Sequence, residues 1–554
     1  MTDERAGNDA MDTAENSEQA ARSFVERAGP APPLPEPFVH RIRALFRRDY
    51  FVGGISPTYY VTRWLFLRML GLVHLIAFTS YGSQIEGLIG SNGIAPAQRF
   101  LDLVSRRSLE SLRIPLYFYE LDTQIPLRYL RVPTLCWLTA ADWFLQGLCL
   151  AGVLAALLLV ADLAPPLCLA ALYVCYLSLV SVSPDFLSFQ WDALLLETTF
   201  LSVFFAPWKL RPGIWREEVH SRVMLMMLRW LLFRLMFMSG VVKLGDGTWR
   251  DLTALIYHYE TQPLPTVFGW YAAQLPAWFH KFSVIGVFLI ELVVPILLVA
   301  PRRVRAVVCA VFVCFQLAIG LTGNYTFFNL LTIALCLLLL DDRHWQALAP
   351  NRLASWVARP PLIRLPLWRK VMMGLIAVPI VFITAIQMTL LLPRSSNPPP
   401  LISDVLWAAF PYHVANRYGL FARMTTSRPE IIVEGSNDGI TWEAYEFRWK
   451  PGRLDRAPGW VQPHQPRLDW QMWFAALSPT PRAWFGNFCY RLLQGSPEVL
   501  ALLEHNPFPD SPPRYVRAML YDFTFTDIST KRQTGHWWSR SPAGIYMLPM
   551  ELPR

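Results

Sequence analysis

In the stretch FMSGVVKLGDGTW a lysine, Lys243, stands at the end of a long apolar run and is followed by glycines, an acid and a tryptophan. A lysine beside hydrocarbon snorkels to water, takes a partner or loses its proton. Desolvated there, its pKa falls and it becomes a candidate general base. Gly240, Gly245 and Gly247 flank it and let backbone or a ligand come close. Six more ionisable side chains lie in apolar runs: His74, Asp142, Asp192, Glu197, Arg234 and Glu291. A charge at the bilayer centre costs at least roughly 2.5 to 3.5 kcal/mol, so these groups should face protein or a water-filled cavity. Two readings compete. In one they pair across helices, Arg234 with Glu291 or Glu197, and serve packing. In the other Lys243 is a base in a membrane cavity, with Glu197, Asp192 or His74 as partners. Arg229, Met236 and Lys243 recur every seven residues and share a helix face, whereas Arg234, nine before Lys243, points the other way. Lys243 and Arg234 therefore belong to different sites.

Other chemistry has no signature here. There is no G-x-S-x-G elbow, no H-E-x-x-H, no phosphate-binding glycine loop and no dinucleotide fingerprint, so neither a cofactor nor a metal is expected. Seven of the eight cysteines lie in apolar runs as small hydrophobes, Cys489 alone lies in the polar C-terminal region, and no C-x-x-C occurs. Asn324-Tyr325-Thr326 matches the glycosylation acceptor pattern but abuts an apolar run, where no modification is expected.

The elements that must hold these residues are set by composition. Of 554 residues, 53% are hydrophobic and 16% charged, the balance of a polytopic α-helical membrane protein. The net charge of +9 falls in short clusters between apolar segments, which argues for loops at an anionic leaflet and against nucleic-acid binding. Stretches of about 20 apolar residues begin near Arg63, Leu135, Ala164, Trp191, Val223, Lys281, Val304, Tyr325 and Val371, giving about nine transmembrane helices, those near Trp191 and Tyr325 being short. RIRALFRR, KLRPGIWREEVHSR, PRRVR and residues 341–370 are basic and alternate with SVSPDFLSFQ, the loop after Lys243 and GLTGN, which are not. Lysine and arginine stay on the cytoplasmic side, so the N-terminus is expected inside and the C-terminus outside. Residues 84–133, basic but expected outside, are long enough to obey the rule weakly and to lie along the membrane as amphipathic helices.

Residues 1–40 are expected to be a disordered leader without a cleavable signal, 41–393 the helical transmembrane domain, 394–428 a linker, and 429–554 a mostly β, sandwich-like extracytoplasmic domain. PEIIVEGSNDGITWEAYEFRW carries two β-prone runs around Asn437-Asp438-Gly439, a hairpin signal, and RYVRAMLYDFTFTD together with the segment after it predicts a second strand pair. A helical insert is expected near residues 485–503.

Four long stretches, FVGGISPTYYVTRWLFLRMLGLVHLIAFTSYGSQIEGLIGSNGIAPA, SFQWDALLLETTFLSVFFAPW, RLMFMSGVVKLGDGTWRDLTALIYHYETQPLPT and ANRYGLFARMTTSRPEIIVEGSNDGITWEAYEFRWKPG, resemble the lipase maturation factors in the same order, from about Tyr50 to the C-terminus. The resemblance implies a multi-span folding factor that in animals sits in the endoplasmic reticulum membrane, N-terminus cytosolic, and helps secreted lipases assemble. Arg, Pro and Ala usage and the lack of paired extracytoplasmic cysteines fit a bacterial inner-membrane relative, C-terminal domain periplasmic. SGVVKLGDGTW is also distantly similar to the membrane domain of vitamin K-dependent gamma-glutamyl carboxylase and its bacterial relatives, where the matching lysine is the catalytic base. SFQWDALLL, however, has Trp191 and Asp192 where that family carries a histidine.

These residues support two expectations. The first is a non-catalytic chaperone whose partners are a secreted client, a lipase in the animal relatives, and membrane lipids. Trp249, Tyr257, Tyr259 and Trp270 are its candidate client contacts, weighed against an interfacial aromatic belt. The second is a membrane enzyme acting on a quinone or lipid with Lys243 as base. It needs Lys243 to line a substrate-sized cavity with few carboxylates in contact.

Overall fold

The computed structural model describes residues 58–107, 127–212, 219–348, 365–391 and 399–553. The leader, RIRALFRR and residues 394–398 of the expected linker lie outside these residues. Nine helices build the bundle: α1 (Tyr60–Gly82), α2 (Asp142–Val160), α3 (Pro165–Val182), α4 (Gln190–Phe205), α5 (Arg222–Lys243), α6 (Ala277–Val299), α7 (Arg302–Thr322), α8 (Phe328–Leu337) and α9 (Leu367–Thr389). Each lies on one of the expected apolar runs, α2 starting at Asp142 rather than near Leu135, but among the described residues only seven are long and apolar enough to cross a membrane. α4 has 16 residues and α8 has 10. At helical rise α4 spans about 24 Å, short of a hydrocarbon core of about 30 Å. Of the nine expected spans, seven have the length and composition to cross a membrane, and the other two apolar runs fold as short helices enclosed by their neighbours.

Small residues bring α1 and α2 together. A Cβ on Gly152 would meet the Phe78 ring at 2.4 Å, one on Gly71 would meet Val160 at 2.9 Å, and Gly82 backs onto Cys149. Helices in lipid gain no hydrophobic attraction from each other, so close packing of this kind is what holds them.

The two ends of the bundle differ in charge. At one end Asp342 caps α1, accepting from the Tyr60 and Val61 amides at 2.8 and 3.0 Å, a carboxylate at a helix N-terminus. Arg302 pairs with Asp341 at 2.8 Å, and Arg229 and Arg305 both donate to the Tyr59 hydroxyl. The opposite end carries the weakly charged loops and receives the C-terminal domain.

The strands of that domain are β1 (Arg428–Ser436), β2 (Glu443–Ala444), β3 (Glu446–Phe447), β4 (Leu503–His505), β5 (Tyr515–Phe525) and β6 (Trp538–Met550). They form one four-stranded antiparallel sheet, order β2-β1-β5-β6, and a two-stranded ribbon of β3 and β4. Both expected strand pairs form. β1 meets β2 across the Asn437-Asp438-Gly439 turn, where the Asp438 carboxylate accepts from the Ile440 and Thr441 amides. β5 runs beside β6. Among the described residues no sandwich is seen: the second sheet is only the β3–β4 ribbon, and α10 (Arg467–Ala476) and α11 (Ala483–Leu493) cover one face of the larger sheet, because the chain there repeats its apolar residues at helical spacing. Ile431, Val433, Val516 and Ala518 point into that layer against Phe485 and Phe488.

Candidate functional site

Lys243 ends α5 and is 1% exposed. It does not snorkel. Its Nζ donates to Glu291 Oε2 at 2.6 Å, to Glu291 Oε1 at 2.8 Å and to the Ser239 carbonyl at 3.3 Å, which uses all three donors of an ammonium. Glu291 reaches it from a π-helical turn, Leu289–Val293, a local widening that turns its side chain inward. Gly240 makes room, since a Cβ there would meet Leu292 at 2.7 Å. Trp249 lies over the ammonium, 5.2 Å from ring centroid to Nζ.

Two more cation–carboxylate pairs are centred on α4. Asp192 and Glu197 are five residues apart, about 140° around the helix, so they face different partners. Glu197 meets Arg234 of α5, both with fully buried side chains, and its other oxygen accepts from the Asn416 amide at 3.0 Å and the Tyr418 hydroxyl at 2.8 Å. Asp192 meets Arg467, which enters from the C-terminal domain on α10. Its oxygens accept from Arg467 at 2.7 and 2.9 Å and from the Tyr176 hydroxyl at 2.5 Å. Of the pairings open to Arg234, Glu197 is the one made, and Glu291 takes Lys243 instead.

The remaining membrane-depth candidates are dispersed. His74 Nε2 lies 2.7 Å from the Thr199 hydroxyl, and its ring stacks on Phe78 and meets Tyr176 edge to face at 6.2 Å, so it touches none of the three pairs directly. Asp142 is at the start of α2, holding the Ser91 amide and hydroxyl at 2.8 and 2.6 Å. Trp249 and Trp270, expected as client contacts, are 2% and 0% exposed, so they present no surface, whereas Tyr257 and Tyr259 are half-buried. Asn324 is buried and spends its amide on the Gly459 carbonyl at 2.8 Å and the Val461 amide at 2.9 Å, so the acceptor sequence Asn324-Tyr325-Thr326 is a structural clamp.

The C-terminal domain is joined to the bundle by many such bonds. The Gln465 and Arg467 amides donate to Ser80 and Gln84 at the end of α1, Trp191 Nε1 donates to Gln465 Oε1 at 2.8 Å, and Arg428 donates to the carbonyls of Glu260, Gln262 and Pro263. Residues 413–421, expected as part of a linker, are instead wedged into the bundle through Asn416 and Tyr418, and Pro400–Ala409 is a helix. Between bundle and domain lies a cavity of about 340 Å³ walled by aromatic rings, among them Phe189, Trp191, Tyr325, Phe421 and Trp470. At its edge, burial first and the Lys243 charge second push the His258 imidazole down to about 4, and burial likewise lowers His464 beside Ser80.

Sequence reasoning missed Arg467, Asn416 and Tyr418. Nothing marks them in the chain, because a polar residue in a polar domain carries no hydropathy signal; only Asp192 and Glu197, lone acids in an apolar helix, announced that partners existed.

These features define a class: a polytopic membrane protein whose α+β domain is clamped to one end of its bundle, and in which Lys243, Arg234 and Arg467 are all buried and committed to carboxylates. Residues 61–347 match the family described as Lipase maturation factor transmembrane domain, and residues 414–548 match Lipase maturation factor C-terminal domain. Lipase maturation factor 2 of Gallus gallus is 37% identical over 86% of this chain and 80% of its own length. The Homo sapiens protein of that name is 36% identical over 86% of the chain and 81% of its length, and Lipase maturation factor 1 of Homo sapiens 32% identical over 90% and 89%. No solved structure matches. The chain belongs to the lipase maturation factor family.

Proposed function

We propose that this chain assists the maturation of secreted client proteins, lipases among them, from the non-cytoplasmic face of its membrane, and that Lys243 does no chemistry in that work. The relatives' names support the client class. The low positive charge of the loops after α3, α5 and α7, which help to hold the C-terminal domain, supports the side, and the composition favours a bacterial inner membrane. The observation that carries the non-catalytic reading is the saturation of Lys243: a base must have a free lone pair and a substrate beside it, and this ammonium is spent on Glu291 and Ser239. Client contact falls to exposed rings near the junction. Phe268 and Trp460, 56% and 50% exposed, meet edge to face at 6.3 Å, with Tyr271 close in sequence and the half-buried Tyr257 and Tyr259 on the preceding helix.

The test replaces the ion pair by apolar residues of similar size. Lys243→Met alone leaves Glu291 buried and unpaired and should lower protein abundance, whereas Lys243→Met with Glu291→Leu removes both charges, an exchange that is often neutral. In a host lacking the native chain, secreted lipase activity should return to the wild-type level with the double variant. Normal abundance of the double variant without any secreted activity would show that Lys243 is needed chemically and would overturn the reading.

A further inference from the structure

The cavity between the bundle and the C-terminal domain has a lining that selects its occupant. Its walls are rings: Phe189 stacks on Trp191 at 4.7 Å, Trp191 meets Trp470 at 4.9 Å, and Tyr325 meets Phe421 at 5.1 Å. Several of the polar side chains in that lining are already engaged with protein. Trp191 donates to Gln465, Trp473 to the Thr261 carbonyl at 2.8 Å, Tyr325 to Gln262 at 2.7 Å, and Gln262 to the Thr322 carbonyl at 2.9 Å. Of the lining indoles only Trp470 keeps an N–H without a partner, and that atom is itself buried. A peptide segment would bring an N–H and a C=O per residue into a space walled mostly by rings, which bond few of them. A hydrocarbon chain brings none.

One charge stands at this cavity. Arg423, in the loop that forms one wall, is exposed and has no carboxylate partner among the described residues. An aromatic chamber of about 340 Å³, within the size range of small-molecule sites, with a single unpaired guanidinium, is complementary to an amphiphile of one acyl chain and one anionic head. We propose that the cavity binds such a molecule, a free fatty acid or a lysophospholipid, with its chain among Phe189, Trp470 and Phe474 and its head at Arg423. The site is independent of any client.

The test uses the full chain purified in detergent. A dansyl-labelled undecanoic acid is titrated and read by energy transfer from the lining tryptophans. Wild type should bind one equivalent saturably. Ala422→Trp, which fills the cavity from the loop, should weaken binding at least tenfold, and Met424→Trp serves the same purpose if Ala422→Trp lowers the melting temperature. Arg423→Gln should weaken the acid several-fold and leave its methyl ester unchanged. Extraction and mass spectrometry of lipids carried by the wild-type protein, and absent from the filled variant, then separate fatty acid from lysophospholipid. Equal titrations for wild type and a folded, filled variant would overturn the proposal. So would an Arg423→Gln variant that binds acid and ester alike as wild type does.

Discussion

Asp192 and Arg467 show what a single side chain does for this molecule, since one lies on a bundle helix and the other on the C-terminal domain, and both are almost fully buried. Removing one partner of such a pair strands a buried charge and costs about 3–5 kcal/mol. Asp192→Asn should therefore lower the melting temperature in detergent by several degrees, and Asp192→Leu with Arg467→Met should recover much of it; a melting temperature unchanged by the single substitution would mean that water reaches the pair. A second residue-scale expectation concerns pH. His258 is held near 4, against an ordinary value of 6.5, so between those values the unfolded chain binds a proton that the folded chain refuses. Its contribution is fully present above 6.5 and is lost as pH falls toward 4. Burial raises the carboxyls of Glu260 and Asp469, whose protonation acts the other way, so the imidazole is isolated by comparison: His258→Gln should lose less melting temperature than wild type between pH 7.5 and 5. Equal losses would contradict it. At this scale the sequence announced the buried acids and bases, since an ion in an apolar run demands a partner. It could not say which partner, because pairing across helices depends on rotation and depth that no spacing along one chain encodes.

Helices were legible in position and less so in length. Every apolar run became a helix, yet α4 and α8 stop short, since hydropathy records what a segment is made of and not whether lipid or protein surrounds it. The sheet was read correctly where a turn residue fixed it, at Asp438 and Gly439, and the helix expected near residues 485–503 forms as α11, but the rest of the covering layer was not foreseen. In α10, Leu468 and Met472 carried a helical period that the strands around them obscured. The close seam of α1 and α2 gives an element-scale prediction. Gly152→Leu forces a side chain into the Phe78 ring, and overpacking of this kind costs about 1–3 kcal/mol. Thermal unfolding should show the loss, and Gly286→Leu, at a glycine with open space around it, should show none. Equal effects at the two sites would mean that α1 and α2 do not pack as described.

Across the whole molecule, the pattern of basic and non-basic loops and the docking of the C-terminal domain are two independent observations with one geometry. The domain touches Asp185, Gln262 and Gly320, in or beside loops of low positive charge, and Ser80 and Gln84 beside the long basic segment that obeys the rule weakly, while Arg229, Arg302 and Arg305 gather at the far end. A folding factor must meet its clients after they cross the membrane, so the side on which this domain lies decides whether the proposed work is physically open to it. Ile440, in the β1–β2 turn, is 84% exposed, and of the eight cysteines only Cys314 is exposed. In a chain carrying Cys314→Ser and Ile440→Cys, a membrane-impermeant maleimide added to intact cells whose outer envelope admits it should label the protein to the same extent as after lysis. Labelling only after the inner membrane is broken would put the domain in the cytoplasm and contradict the proposed role.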